Sequence, residues 1–545
     1  MQWNGWGDPE HDPAQMISES TRALLEQTLG ASLSEQPPVP LDQVRPPASR
    51  LTQTARAALR TVLGSAGLRD DDRTRIDHCG GKSTDDLLRR RAGDVTPCPD
   101  AVLFPASHEE LLDVLRICNE QRIAVVPFGG GTSVVGGVEP VAGPMATVVT
   151  VDLSRMKQLL HLDEDSHTAT LHAGLRTPEV EELLGARGYT LGHLPQSYEY
   201  ATIGGYAATR STGQASGGYG RFDDMVVSLR MATPRGTLAP GRSPASAAGP
   251  DLRQLVLGSE GTLGIITEVT VRVRPLPHAR TDAAWVVPDF STGVRAMREI
   301  ARAAPRPTVA RLSDETETFV QATLAGRDPA PGSLLVLGFE GTDSEVTRQR
   351  AAVDEALRRL DTSSAASGGT HGPAVAADSS AVGDWRRSRF DGPYLRDALL
   401  SVGVLTETLE TATTWSQLEP LYHAVRDALH ASLDGPEGTA IVMCHISHSY
   451  PSGASLYLTV ATPCGRDPRA RWARAKRAAS DAIAANGGTI THHHAVGTDH
   501  RPWMSTEIGA LGAASLAAMK STLDPAGILN PHKLIPDGPA NVTDA

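Results

Sequence analysis

Hydrophobic positions in this chain recur with two periods, and the switches between them outline the elements. In SHEELLDVLRICNEQR (107–122), Leu111, Leu112, Val114, Leu115 and Ile117 form one helical stripe, and Ser107 and Glu110 have the spacing of a capping box. The β-branched run IAVVPF (Ile123 to Phe128) reads as a buried strand. ATVVTVDLSRM and HTATLHAGLR are further strand candidates, and TPEVEELLGARG is a helix expected to stop at Gly188.

Later in the chain, STGVRAMREIARAA and VTRQRAAVDEALRRL have helical periodicity, and SLLVLGFEG and ASLYLTVA read as strands. ARWARAKRAASDAIAANGG is a helix that ends on Gly487 and Gly488, followed by strand-like TITHHHAVG. The small, polar stretch 363–380 is expected to be a mobile loop, and DPAGILNPHKLIP a terminal turn and tail. Before Ala101 the chain is arginine-rich and helical, with PPVPLDQVRPP as an extended linker.

At 545 residues, two or three domains are expected. With 40% hydrophobic and 21% charged residues the composition is that of a soluble globular protein. A net charge of -12 argues against nucleic-acid binding by general electrostatics. No apolar run is long enough to span a membrane, and the N-terminus has no signal-peptide pattern, so a cytoplasmic location is expected. Peripheral membrane contact stays open. The five cysteines are scattered and lack CxxC spacing, which disfavours a disulfide framework or a zinc site.

VVPFGGGTSVVGG (125–137) is the densest glycine segment. Successive backbone N–H groups in such a turn can form a nest for phosphate oxygens, and Thr132 and Ser133 add hydroxyl donors. It is neither a GxGxxG fingerprint nor a P-loop, so alone it is equally a structural turn. Two further small-residue loops, PQSYEYATIGGYAATRSTG and GSEGTLGIITEVTVRVRP, change that balance. Together the three loops suit a long, flat ligand threaded between backbones.

In this order the three segments resemble the FAD-binding domain of the vanillyl-alcohol oxidase/p-cresol methylhydroxylase superfamily. The resemblance implies an α+β FAD-binding domain and an α+β cap domain with an antiparallel sheet. It implies that Pro127, Phe128, Gly129, Gly130, Gly131, Thr132 and Ser133 hold the pyrophosphate of FAD. Gln196, Ser197 and Thr202, with Thr209, Arg210, Ser211 and Thr212, would line the cofactor further along. So would Glu260, Gly261, Thr262, Leu263, Gly264, Ile265 and Ile266. The histidine that carries covalent FAD in some members has no clear match, so non-covalent FAD is expected. The organisation read this way is a helical N-terminal region (1–95), an FAD-binding domain (96–277), a cap (278–490) and a C-terminal segment returning to the FAD domain (491–545).

Relatives that oxidise 2-hydroxy acids carry HxGDGNxH and a later EHG turn; here the corresponding places read HISHSYPSGASLYLTV and THHHAVG. Those segments, with QWNGWG, PDAVLFP, RLSD, YLRD and ETLETATTW, resemble the alkyldihydroxyacetone-phosphate synthase family. The resemblance implies catalytic roles for Tyr450, Arg311 and the triple histidine His492, His493 and His494, and places Arg396 at the substrate phosphate. It implies that acyl-dihydroxyacetone phosphate reacts at the flavin N5, loses its fatty acid and is attacked by a fatty alcohol. Electrons are lent and returned, and an ether lipid precursor forms without net redox. It also allows a homodimer.

Chemistry supports these roles independently. Guanidinium groups suit a phosphate monoester, and a proton beside a carbonyl needs a base that Tyr or His can supply. If His492 to His494 lie on a strand, His492 and His494 face one way and His493 the other. One ion could not then take all three, so no metal is expected. Two alternatives stand beside the synthase: an FAD-linked oxidase or dehydrogenase of another alcohol or hydroxy acid, and a flavin-binding protein that has lost its site.

Overall fold

The computed structural model describes residues 1–8, 16–329, 331–366, 374–377 and 379–536. Ile123–Phe128 is a buried strand that pairs in parallel with Thr147–Asp152, in a sheet continued by Ala101–Leu103 and Leu68–Arg69. The helix His108–Gln121 packs on it through Leu111, Val114, Leu115, Ile117 and Cys118. Ser107 caps this helix by accepting the Glu110 N–H, while the Glu110 carboxylate reaches the Ala106 N–H at 2.7 Å instead of closing the box on Ser107. A second, antiparallel sheet has the order Leu159–Asp163, Thr168–His172, Ile265–Arg272, Val226–Thr233 and Gly236–Leu238. The helix Thr177–Gly185 ends a turn before Gly188, which lies in the left-handed region.

From Ala279 on, one large sheet dominates, antiparallel at every pairing. Its order is Val375–Ala376, Ala279–Val287, Ser333–Gly341, Val309–Ser313, Ile441–Ile446, Gly453–Pro463 and Val404–Thr414. Phe290–Arg302, Leu418–Leu433 and Pro468–Ala485 are amphipathic helices whose apolar stripes share one core with these strands. Of the loop expected at 363–380, residues up to Ala366 continue the helix Asp343–Ala366 and Val375–Ala376 pair with Trp285 and Val286. Residues 367–373 and 378 lie outside the described residues.

Residues 1–8 and 524–536 are both woven into the fold. The segment expected to be a tail buries Ile528 and Leu529, and it flanks the first sheet: Val125 donates to the Ile528 carbonyl and Asn530 to the Val125 carbonyl, each at 2.8 Å. At the other end, Arg90 donates to the Trp3 carbonyl at 2.6 Å and the Trp6 N–H bonds the Asp397 carboxylate. QWNGWG is therefore a structural clasp, and Gly7, at φ +82°, sits where a Cβ would meet the Tyr394 ring at 2.5 Å.

Candidate active site

The three glycine-rich loops converge. A Cβ on Gly130 would stand 1.9 Å from the Tyr200 carbonyl oxygen, and one on Gly129 would stand 2.3 Å from Thr202 Oγ1. Gly261, at φ +74°, passes Pro127 so closely that a Cβ would lie 2.2 Å from its ring. Glycine is required here because the Gly130 backbone meets the Tyr200 carbonyl and because Gly129 and Gly261 pack against the Thr202 hydroxyl and the Pro127 ring. Gly258 and Glu260 donate their N–H groups to the Ala207 and Ala208 carbonyls, tying the third loop to the helix Ile203–Thr209. Thr202 caps that helix. Two hydroxyls on these loops, Thr212 and Ser259, are buried without a partner. Such orphans, beside a glycine cradle, fit a polar ligand of extended shape.

Not every residue assigned to the cofactor is free for it. Leu263, Ile265 and Ile266 are core residues, and Gly264 is close-packed on Met231. Arg210 spends its guanidinium on Asp223 and the Leu257 and Gln254 carbonyls. Thr209 and Thr262 bond carbonyls within their own turns, and Ser211 accepts from or donates to His193 at 3.0 Å. Ser133 accepts the Gly137 N–H at 2.9 Å. Gln196 approaches Gly392, and Ser197 opens the turn to Tyr200 and Ala201. The Glu260 carboxylate accepts the Val496 and Gly497 N–H groups at 2.8 and 2.7 Å. Glu260 thus joins the third loop to the histidine segment, and burial pushes its carboxyl up to about 7.

The histidine segment is not a strand. His492, His493 and His494 form bends whose three successive N–H groups point at one carboxylate, that of Glu410, at 2.6, 3.1 and 2.8 Å. The Thr491 hydroxyl adds a fourth bond at 2.6 Å. Glu410 is fully buried on the strand Val404–Thr414. Its charge offers the N–H groups a stronger partner than a ladder carbonyl would, so the segment curls around it. The alternation of faces expected for the three rings is therefore absent. Burial would push the Glu410 carboxyl up, but the charge that the His493, His494 and His492 rings carry when protonated in acid, with the Thr491 bond, holds it well below the usual carboxylate range.

Tyr450, on the two-residue strand Ser449–Tyr450 folded against Gly453 and Ala454, places its hydroxyl 2.7 Å from His492 Nε2. His492 Nδ1 lies 3.0 Å from His493 Nδ1. Burial drives the pKa of His492 well below its ordinary value and lowers that of His493, so both rings are neutral at pH 7. The short contact between the two Nδ1 atoms requires one of them to carry a proton. When His492 carries it, its Nε2 lone pair faces the tyrosine proton. Burial raises the Tyr450 pKa, and the guanidinium of Arg221, within hydrogen-bond reach, opposes that rise.

Arg311 joins this centre through a stack: it donates to Glu317 at 2.9 Å, His445 lies on Tyr457 at 4.7 Å, and Tyr457 lies on His493 at 5.9 Å. Arg396 is placed differently. Its Nε and Nη2 bond Asp397 at 3.1 Å and its Nη1 bonds the Lys82 carbonyl at 2.5 Å, all buried. A cavity of about 550 Å³ opens beside Tyr450, lined by small and apolar residues such as Ala412, Gly453 and Trp503 and by the polar Thr413, Ser452 and Glu507. Sequence reasoning missed Glu410, Arg221, His445, His448 and Tyr457. His445, His448 and Tyr457 stand in the very segment HISHSYPSGASLYLTV, where the i, i+3 histidine spacing was the available signal.

The fold and the three-loop cradle define an FAD-linked flavoprotein: the FAD binding domain model matches residues 99–239, and the model for the C-terminal domain of FAD linked oxidases matches 276–534. The alkyldihydroxyacetonephosphate synthase of Dictyostelium discoideum is 32% identical, covering 98% of this chain and 93% of its own. That of Trypanosoma brucei brucei is 30% identical over 99% and 93%. A solved alkyldihydroxyacetonephosphate synthase superposes with a TM-score of 0.79 at 28% identity, covering 97% of both chains. The chain belongs to the alkyldihydroxyacetonephosphate synthase family. Substrate-bound p-cresol methylhydroxylase shares the fold, with a TM-score of 0.67 at 13% identity, over 89% of this chain and 98% of that one.

Proposed function

We propose that this protein exchanges the acyl group of acyl-dihydroxyacetone phosphate for a fatty alcohol, making an ether lipid precursor with no net redox change. The observation that carries the reading is the Tyr450 hydroxyl held 2.7 Å from a neutral His492, beside a cavity, in a chain of this family. The loop Pro127 to Ser133 and its two companions would hold FAD without a covalent bond, and the flavin would supply an electron sink. Tyr450 and His492 act as the base pair that takes a proton from the carbon beside the substrate carbonyl, and His493 accepts the relay at Nδ1. Arg221 favours the tyrosinate form of Tyr450. Glu410 keeps the rings in place.

Arg311 and Arg396 serve the phosphate end. For Arg396 this means trading a bond to Asp397 or to the Lys82 carbonyl for the substrate. The small residues Ala412, Gly453, Ala454, Gly487 and Gly488 leave room in this cavity for an alkyl chain, beside the hydroxyls of Thr413, Thr414, Ser452 and Thr506 and the Glu507 carboxylate. Peripheral contact with a membrane fits the helix Met504–Leu523, which starts beside the cavity at Trp503 and exposes Leu511 by 74%. Among the described residues no helix is long and apolar enough to cross a membrane.

The test is anaerobic incubation of the flavin-loaded protein with palmitoyl-dihydroxyacetone phosphate and hexadecanol, followed by mass spectrometry. Ether product and free palmitate, both lost in Tyr450→Phe, are the expected result. Absence of product together with bleaching of the flavin by a hydroxy acid or another alcohol would replace this reading with an FAD-linked oxidase or dehydrogenase.

A further inference from the structure

The bend around Glu410 does more than orient a proton relay. It brings His492 and His493 against His448, and each of the three offers a ring nitrogen within 4.8 Å of the others. The rings are close-set: His448 stacks on His492 at 5.2 Å and meets His493 edge-on at the same distance. His492 Nδ1 and His493 Nδ1 are 3.0 Å apart, and His448 Nδ1 is buried with no hydrogen-bond partner. Imidazole nitrogens on a tetrahedral zinc ion, at about 2.0–2.1 Å from the metal, stand roughly 3.3 Å from one another.

We propose that His448, His492 and His493 form a binding site for a divalent transition-metal ion of the zinc class, and that its occupancy shuts off proton transfer at Tyr450. An all-imidazole set of ligands selects zinc, copper or nickel over magnesium or calcium. Burial keeps all three rings neutral, the form that binds a metal. The Glu410 carboxylate, 3.6 Å from His493 Nδ1, supplies a compensating negative charge, while Arg221 nearby limits the affinity.

The switch follows from tautomers. A neutral imidazole that binds metal through Nδ1 carries its proton on Nε2. With an ion on His492 Nδ1, the Nε2–H must donate to the Tyr450 oxygen, 2.7 Å away, and can no longer accept the tyrosine proton. The proton only changes ring nitrogen, so none is released. Binding does not depend on the reaction assigned above; the inhibition rests on that reading.

The experiment uses full-length, flavin-loaded protein, stripped with a chelator and desalted, then titrated with Zn²⁺ in a calorimeter. Wild-type protein is expected to bind one ion per chain, and His448→Asn to bind it at least about tenfold more weakly at unchanged flavin content. No stoichiometric binding, or equal affinity in the variant, overturns the site. Should His448→Asn lose flavin, His448→Gln is titrated by the same criterion. A parallel assay of ether product is expected to show inhibition by Zn²⁺ that the chelator reverses. Stoichiometric binding without inhibition overturns the switch while leaving the site, and a wild type inactive before any metal is added points instead at the assigned reaction.

Discussion

Glu410 accepts the backbone N–H of His492 at 2.6 Å, across 82 residues of chain. That bond, with those from His493 and His494, turns a strand-like segment into a fixed turn of three imidazoles. On the same strand Glu407 accepts the Thr84 N–H at 2.6 Å, so two buried carboxylates three residues apart anchor separate segments. Their odd spacing sends them to opposite faces.

Glu410→Gln is expected to leave the fold intact but loosen the turn. The neutral amide replaces charge-assisted bonds with ordinary ones and turns an N–H donor toward three other donors. The expected loss is about 1–3 kcal/mol of stability, read from thermal melts. Turnover should fall about 10–100-fold, as when a supporting ligand is removed from a site.

Arg221→Gln removes the cation that opposes the burial-driven rise of the Tyr450 pKa. The tyrosine pKa then rises, so the limb of the pH–rate profile that reports its ionisation moves to higher pH. At a fixed pH below that limb the variant is slower. A profile of kcat/KM against pH for both proteins checks the direction.

Glu260 has a folded pKa of about 7 against an ordinary 4.5, because burial favours its neutral form. The folded state therefore holds more protons than the unfolded one between those values, and stability declines as pH rises from about 4.5 to 7. Glu317 runs the other way: despite burial, Arg311 and His445 hold its carboxyl down to about 2, so its contribution is present above about 4.5 and is lost as pH falls toward 2. Urea midpoints of wild type and Glu260→Gln, compared at pH 5 and pH 8, should show the wild type losing more stability over that interval.

Gly130→Ala places a methyl group where the Tyr200 carbonyl stands, at 1.9 Å, with no flexible side chain to yield. The first and second loops must separate, and the cradle opens. Purified protein is expected to carry much less flavin, measured as flavin absorbance per chain, while the cap retains its core.

Elements with a continuous apolar pattern were legible in the sequence: the helix from His108, the strand from Ile123 and the helix ending before Gly487 all stand where periodicity places them. Their side chains meet a core whatever lies beyond it, so local pattern decides them. The three loops were legible too, because close packing against the neighbouring loop leaves no room for a Cβ at Gly129, Gly130 and Gly261. TITHHHAVG was misread as strand-like, since nothing within it announces Glu410. Arg221 and Tyr457 carry no pattern of their own, and the bonds of Arg396 to Asp397 and the Lys82 carbonyl join segments far apart in the chain.

The chain by itself determined the three glycine-rich loops and the helices and strands whose apolar pattern is continuous. Only the tertiary structure decided their protonation and geometry. Burial sets the neutral state of the imidazoles, and a carboxylate 82 residues away in sequence sets the direction in which they point. Both depend on what packs around a residue, and neither is written in its neighbours along the chain.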